Sequence, residues 1–186
     1  MLHMGIAQAY EQKAKRAITQ KGVKINSDAD KHPTKENSSA MVVSVTASNF
    51  LANPILREEV FGPFSLVVIC NDYSEMKRVA EVMDGQLTST LIATQQDVKT
   101  HQDIVDIVTS KCGRIIINGV PTGVEVCLAM QHGGPFPAST DSRYTSVGAD
   151  AIKRFARPIS FQNFPDDLLP DELKSENPLL INRIVE

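Results

Sequence analysis

The stretch Arg57-Glu58-Glu59-Val60-Phe61-Gly62-Pro63-Phe64 stands directly before a run of apolar β-formers, Leu66-Val67-Val68-Ile69-Cys70. Two acids and an aromatic, closed by a Gly-Pro breaker, sit at the mouth of what reads as a buried strand. In the open α/β sheets that such strands build, ligands occupy crevices at strand ends. A carboxylate accepts hydrogen bonds from hydroxyls, and an aromatic face offers apolar contact. The acid pair Glu58-Glu59 with Phe61 is therefore a placement to explain, against the plainer reading of a solvated helix end at Glu58 and Glu59 and a core anchor at Phe61.

The segments on either side point to the fold class. Downstream, Ser65 to Cys70 reads as a strand, Ser74 caps a helix through Met83, and Thr88 to Thr94 reads as a second strand. Asp97 to Cys112 carries Val98, Ile104, Val105, Ile107 and Val108 at helical spacing, and Arg114 to Asn118 is a third strand. Strand–helix–strand–helix–strand with short loops predicts parallel pairing through right-handed crossovers, an α/β fold. Upstream, residues 4–19 predict an amphipathic helix, 26–40 a polar surface loop, and Met41 to Thr46 a β-branched strand. A helical stretch from Asn49 to Glu58, with Ser48 as N-cap, contains Pro54 and is expected to break into two turns.

Beyond the third strand the chain becomes rich in Gly and Pro. Gly119-Val120-Pro121-Thr122-Gly123, His132-Gly133-Gly134-Pro135-Phe136-Pro137 and Asp141-Ser142-Arg143 follow one another in a long loop. Such a loop leaving the carboxyl end of a parallel strand lies where α/β folds place their binding loops, the alternative being a rigid surface loop. Ser146 to Arg157 predicts a helix with Ile152, Phe155 and Ala156 inward, and Pro158 to Phe164 an alternating strand. The tail from Pro165 is acidic and broken by Pro.

Composition narrows the function classes. At 186 residues, 42% apolar and 22% charged, the chain reads as a globular protein of one domain or one with an appendage. A net charge of −3 gives no footprint for nucleic acid, and no apolar run approaches a membrane span. Cys70, Cys112 and Cys127 lack paired spacing, so no disulfide framework is expected and the cytoplasm is the default location. Scattered histidines offer no metal site, and no GxGxxG or P-loop pattern is present. Cys127 with His132 could in principle form a nucleophile and base, but the apolar surroundings of Cys127 and the nearby Glu125 raise a thiol pKa.

The Arg57–Phe64 stretch resembles the EE-x-F-G-P motif of the aldehyde dehydrogenase superfamily. The wider wording is similar to the branch of 2,5-dioxovalerate (α-ketoglutarate semialdehyde) dehydrogenases. It includes Phe50 to Pro54, Gly85 to Thr88, Gly113 to Cys127, Met130 to Pro137 and Thr140 to Gly148. The resemblance implies that Glu59 holds the nicotinamide ribose hydroxyls of NADP or NAD and that Phe61 packs beside the cofactor. It implies a substrate-tunnel wall at Val120, Pro121 and Thr122 and near His132. In the intact enzymes a cysteine thiolate captures the aldehyde, hydride passes to the nicotinamide and water releases the acid. That cysteine lies in a Gly-Gln-x-Cys-type motif absent here, as are the dinucleotide-binding domain and the general-base glutamate. No catalytic residue is assigned in this chain.

The resemblance thus implies an incomplete catalytic domain at 1–157, with an oligomerisation strand and tail at 158–186. Such a chain is expected to be inactive alone and to bind no cofactor tightly. Its expected partners are the missing N-terminal dehydrogenase portion, other subunits or a second copy in a homo-oligomer, with neither nucleic acid nor membrane. The alternative is a non-catalytic interaction module that pairs with intact subunits.

Overall fold

The computed structural model describes residues 2–28 and 38–183. The expected loop at 26–40 lies largely outside them, and its first residues instead end a strand. In chain order the elements are helix α1 (Met4–Ile18), strands β1 (Lys24–Asp28) and β2 (Met41–Thr46), helix α2 (Ala47–Ala52) and a 3₁₀ turn (Pro54–Arg57). Strand β3 (Phe64–Ile69), helix α3 (Tyr73–Val82), strand β4 (Gln86–Leu91), helices α4 (Gln95–Thr100) and α5 (Gln102–Lys111) and strand β5 (Cys112–Ile117) follow. Two further 3₁₀ turns, Ala149–Phe155 and Asp166–Leu168, lie in an otherwise irregular C-terminal third.

The α/β class holds, but of the three strands expected to pair in parallel only β4 and β5 do so with each other, while β3 pairs in parallel with β2 in a separate sheet. In the first, β1 pairs antiparallel with β2, and β2 runs parallel to β3 with Met41 opposite Phe64 and Thr46 opposite Ile69. In the second, β4 runs parallel to β5 with Gln86 opposite Cys112. The continuous sheet expected from the sequence is interrupted between β3 and β4.

Local chemistry explains most element ends. Pro54 does break the stretch after α2: Asn53 caps the 3₁₀ turn by accepting from Ile55 N–H at 3.1 Å. The cap of α2 is Thr46 rather than Ser48, and that of α3 is Asp72 rather than Ser74. Asp72 accepts from Glu75 N–H at 2.8 Å, two residues earlier than expected. The expected helix at 97–112 is two helices divided at His101, whose backbone is not helical and whose ring lies 4.1 Å from that of Tyr73. Thr94 and Asp97 form a capping box for α4.

The largest buried cluster, Val45, Phe50 and Leu56, gathers Leu66, Val68, Val79, Val82 and Met83 around it. It joins the first sheet to α2 and α3. The second sheet relies on thinner packing, with Ile104 of α5 its buried apolar residue. Two expectations fail further along. Ile152 and Phe155, expected inward on a helix, are 70% and 86% exposed on a 3₁₀ turn. Residues 158–164 form no strand: a strand is completed by a neighbour's backbone, and none pairs with it among the described residues. Phe161 and Phe164 instead meet edge to face at 5.3 Å. No helix among the described residues is long and apolar enough to cross a membrane.

Helices α3 and α5 are tied by Asp103, which accepts from Lys77 Nζ at 2.8 Å and from the Tyr73 hydroxyl. The Lys77 contact, then that of Tyr73, holds the Asp103 carboxyl well below its usual 3.8, at about 2. A carboxyl whose pKa falls on folding stabilises the fold above its unfolded value and loses that contribution as pH drops through the folded one. Urea midpoints should therefore fall between pH 4 and pH 2 more steeply in the wild type than in Asp103→Asn. Equal slopes would show that the tie is not kept in solution.

Candidate functional site

Glu58 and Glu59 follow the 3₁₀ turn and precede β3, so the first sheet and its core fix where they emerge. Both side chains are exposed. Glu58 accepts from Arg16 Nη1 at 2.8 Å, and Lys13 Nζ donates to the main-chain oxygen of Glu59 at 2.9 Å. The Glu59 carboxylate has no side-chain partner among the described residues. Both Glu58 and Glu59 line a cavity of about 560 Å³ with Lys13, Arg57, Asp84 to Thr88, Pro137 and Ala138. Arg57 Nε, in the same wall, is buried without a hydrogen-bond partner. Phe61 lies outside that wall and is 62% exposed.

Val120, Pro121 and Thr122 line a second cavity, of about 310 Å³, beside Arg114, Ile115 and Ile116 of β5. Arg114 Nη1 donates to Gly123 O at 2.9 Å and holds the loop back along its own strand. Asn118 anchors the loop's root: its side chain accepts from Ala93 N–H at 2.9 Å and donates to Ala93 O at 2.8 Å. These paired bonds extend the β4–β5 ladder by one rung made from a side-chain amide. His132 does not line this cavity.

The His132–Pro137 segment returns to the other end of the sheet. A Cβ on Gly113 would stand 1.9 Å from Gly133 O, and one on Gly85 2.1 Å from Pro135 O. Backbone therefore lies on backbone at the starts of β4 and β5, where only glycine leaves room. His132 N–H donates to Thr145 Oγ1 at 2.9 Å, and its carbonyl accepts from Ser146 N–H at 3.0 Å. Its Nδ1 is buried without a hydrogen-bond partner, so no Cys127–His132 pair is formed. The Asp141-Ser142-Arg143 wording closes on itself, with Arg143 Nη2 donating to Asp141 Oδ2 at 2.7 Å. The sequence-predicted residues thus fall at three places: Glu59 at the larger cavity with Phe61 beside it, Val120 to Thr122 along β5, and His132 at the strand starts.

Among the cysteines, burial raises the Cys70 thiol pKa, and the charges of Glu75 and Asp72 push it the same way. All three cysteines are free thiols, and the described residues contain no group of His, Cys, Asp and Glu that could hold a metal ion. In the sequence Lys13 and Arg16 fall within the amphipathic helix predicted at 4–19 and carry no mark of a site. Their spacing, three apart on one face with Tyr10 three before, was the available sign that they act together.

Solved structures share this architecture. Betaine aldehyde dehydrogenase from Staphylococcus aureus, in complex with NAD+, superposes with a TM-score of 0.58 at 16% identity, over 83% of this chain and 29% of that one. Succinic semialdehyde dehydrogenase from Streptococcus pyogenes, in complex with NADP+, gives 0.55 at 17% identity, over 71% and 27%. These likenesses establish an aldehyde dehydrogenase fold. The model of the aldehyde dehydrogenase family matches residues 6–156, and the chain belongs to that family. Alpha-ketoglutaric semialdehyde dehydrogenase 2 of Azospirillum brasilense is 45% identical to it over 184 residues, 99% of this chain and 35% of that protein. The chain spans about a third, 35%, of the length of the curated relatives it matches.

Because Gly85 and Gly113 seat the returning loop, Gly85→Ala and Gly113→Ala should each lower stability by about 1–3 kcal/mol or more, as overpacking does. Gly5→Ala, on α1, should be neutral or slightly stabilising. Urea titrations of the three variants check this, and three equal midpoints would contradict the backbone contact.

Proposed function

We propose that this chain is the cofactor-edge and substrate-wall portion of an NAD- or NADP-linked dehydrogenase of a semialdehyde acid such as 2,5-dioxovalerate. The observation that carries the reading is the Glu59 carboxylate, unpartnered on its cavity wall within the EE-x-F-G-P stretch. In the assembled enzyme Glu59 accepts from the nicotinamide ribose hydroxyls and fixes the sugar, while Phe61 packs beside the ring. The dinucleotide, when bound, supplies the hydride acceptor. Val120 to Thr122 form part of the wall along which the aldehyde enters, whereas His132, held by its main-chain bonds to Thr145 and Ser146 at the other end of the strands, is not part of it.

The chain alone does not turn over aldehydes in this reading. Cys70 is held toward the thiol, and none of the three cysteines occupies the position of the family's nucleophile. Its partners are a polypeptide carrying the nucleophile and dinucleotide-binding portion, other subunits, or a second copy of itself in a homo-oligomer. The surface supports a partner: 13352 Å² is accessible, where a compact monomer of this mass exposes about 8,800 Å². A second reading, a non-catalytic module that pairs with intact subunits, is favoured by Ile159, Phe161 and Phe164, which are 61%, 41% and 47% exposed on an unpaired segment.

The purified chain, verified by intact mass, should give no NAD- or NADP-linked oxidation of 2,5-dioxovalerate. Mixing with a polypeptide spanning the preceding portion of a relative should restore turnover. In that mixture Glu59→Gln should lower activity roughly 10- to 100-fold, the loss of a hydrogen bond to a charged acceptor. Capture of full-length subunits without turnover would favour the second reading. Turnover by the chain alone would overturn the first.

A further inference from the structure

We propose that Lys13 and Arg16 of α1 are positioning residues for the Glu59 carboxylate; the proposal rests on the reading of Glu59 as the cofactor-facing acid. Residues three apart on a helix stand in one row, each about 4.5 Å further along the axis. Tyr10, Lys13 and Arg16 form such a row; Lys13 and Arg16 donate to Glu59 and Glu58, and Tyr10, which donates mainly to Ser39 O, lies against the far end of the segment 58–63. The Tyr10 hydroxyl lies 3.4 Å from Pro63 O, which it shares with Ser39 O at 2.7 Å. Lys13 Nζ is 2.9 Å from Glu59 O and Arg16 Nη1 is 2.8 Å from Glu58 Oε2. The helix therefore grips the segment in reverse order, from the Gly-Pro breaker back to the first acid.

The row treats the two acids differently. Arg16 takes up the first carboxylate, so the second is left without a side-chain partner among the described residues. Lys13 takes no carboxylate at all; it fixes the main-chain oxygen of Glu59, the one of the two cavity-lining acids whose carboxylate has no side-chain partner among the described residues. The side chains of Arg16 and Glu58 are 53% and 47% exposed, and an ion pair in that setting contributes little to stability. The value of the row is therefore orientation: it sets the direction from which Glu59 leaves the backbone, and its loss appears in binding before it appears in unfolding.

Two measurements on the chain separate this proposal from the reading beneath it. The first is the backbone order of Glu59, Val60 and Phe61 without ligand, read by 15N relaxation. Lys13→Met should lower their order parameters, and Lys13→Arg, which keeps a donor, should restore most of the order. Unchanged order parameters in Lys13→Met would overturn the positioning role whatever the cofactor does. The second is titration with millimolar NAD+ followed by ligand-observed NMR. Glu59→Gln should weaken binding about tenfold and Lys13→Met severalfold, while the double variant should match Glu59→Gln, since a residue acting only through another adds nothing once that other is gone. Additive losses would mean that Lys13 acts through its own charge, and would overturn the proposal. Wild-type affinity in Glu59→Gln, or no NAD+ binding even when the preceding portion of a relative is added, would sink the reading of Glu59 and leave the first result to decide the clamp.

Discussion

The close approach of two backbones, residues 133–136 against the starts of β4 and β5, is the constraint on which the second half of the molecule depends. A pair of strands with one thin layer of helix is marginal by itself, and Ile104 is the buried apolar residue that the layer supplies. What closes the structure is the returning loop at one end and the Asn118–Ala93 rung at the other. Gly85 and Gly113 matter because main-chain oxygens stand where their side chains would be. With both ends held, β5 can carry Val120 to Thr122 along its flank and Arg114 can draw Gly123 back toward it.

The first sheet sets where the Glu58-Glu59 pair leaves the fold. Its core of Val45, Phe50 and Leu56 fixes α2 and the 3₁₀ turn, and Pro54 ensures that the chain leaves that turn rather than continuing as helix. The direction of departure is then set from outside by α1. Core packing places the segment, and helix donors orient it. Division of labour of this kind lets a charged group stay exposed, with its carboxylate available, while its backbone is restrained.

Much of this was legible because it is local. The β-branched run at 41–46, the apolar run after Pro63 and the helical spacing of α1, α3 and α5 all report a face buried against a neighbour. The breaker at Pro54 acted as its ring geometry requires. The misses are those that need a distant partner. The caps at Thr46 and Asp72 compete with equally good candidates two residues away, and only the folded backbone chooses between them. His101 interrupts a sequence with helical spacing throughout, where its ring meets Tyr73. The His132–Pro137 segment reads as a binding loop because it is rich in Gly and Pro, yet two of its contacts show those residues serving close packing at the opposite end of the strands.

The same distinction bears on residues 158–164. Their alternation, Ile159, Phe161 and Phe164 against Ser160, Gln162 and Asn163, is a strand pattern, and alternation specifies only which face would be buried once a neighbouring backbone arrives. In this chain none arrives among the described residues, and the apolar side chains remain partly exposed. The exposure of Val67, Ile69 and Ile117, at 45%, 53% and 50%, has the same character on β3 and β5. Apolar groups left in regular rows on strands mark faces of the kind that a further layer of protein covers, and alternation alone does not say which layer that is.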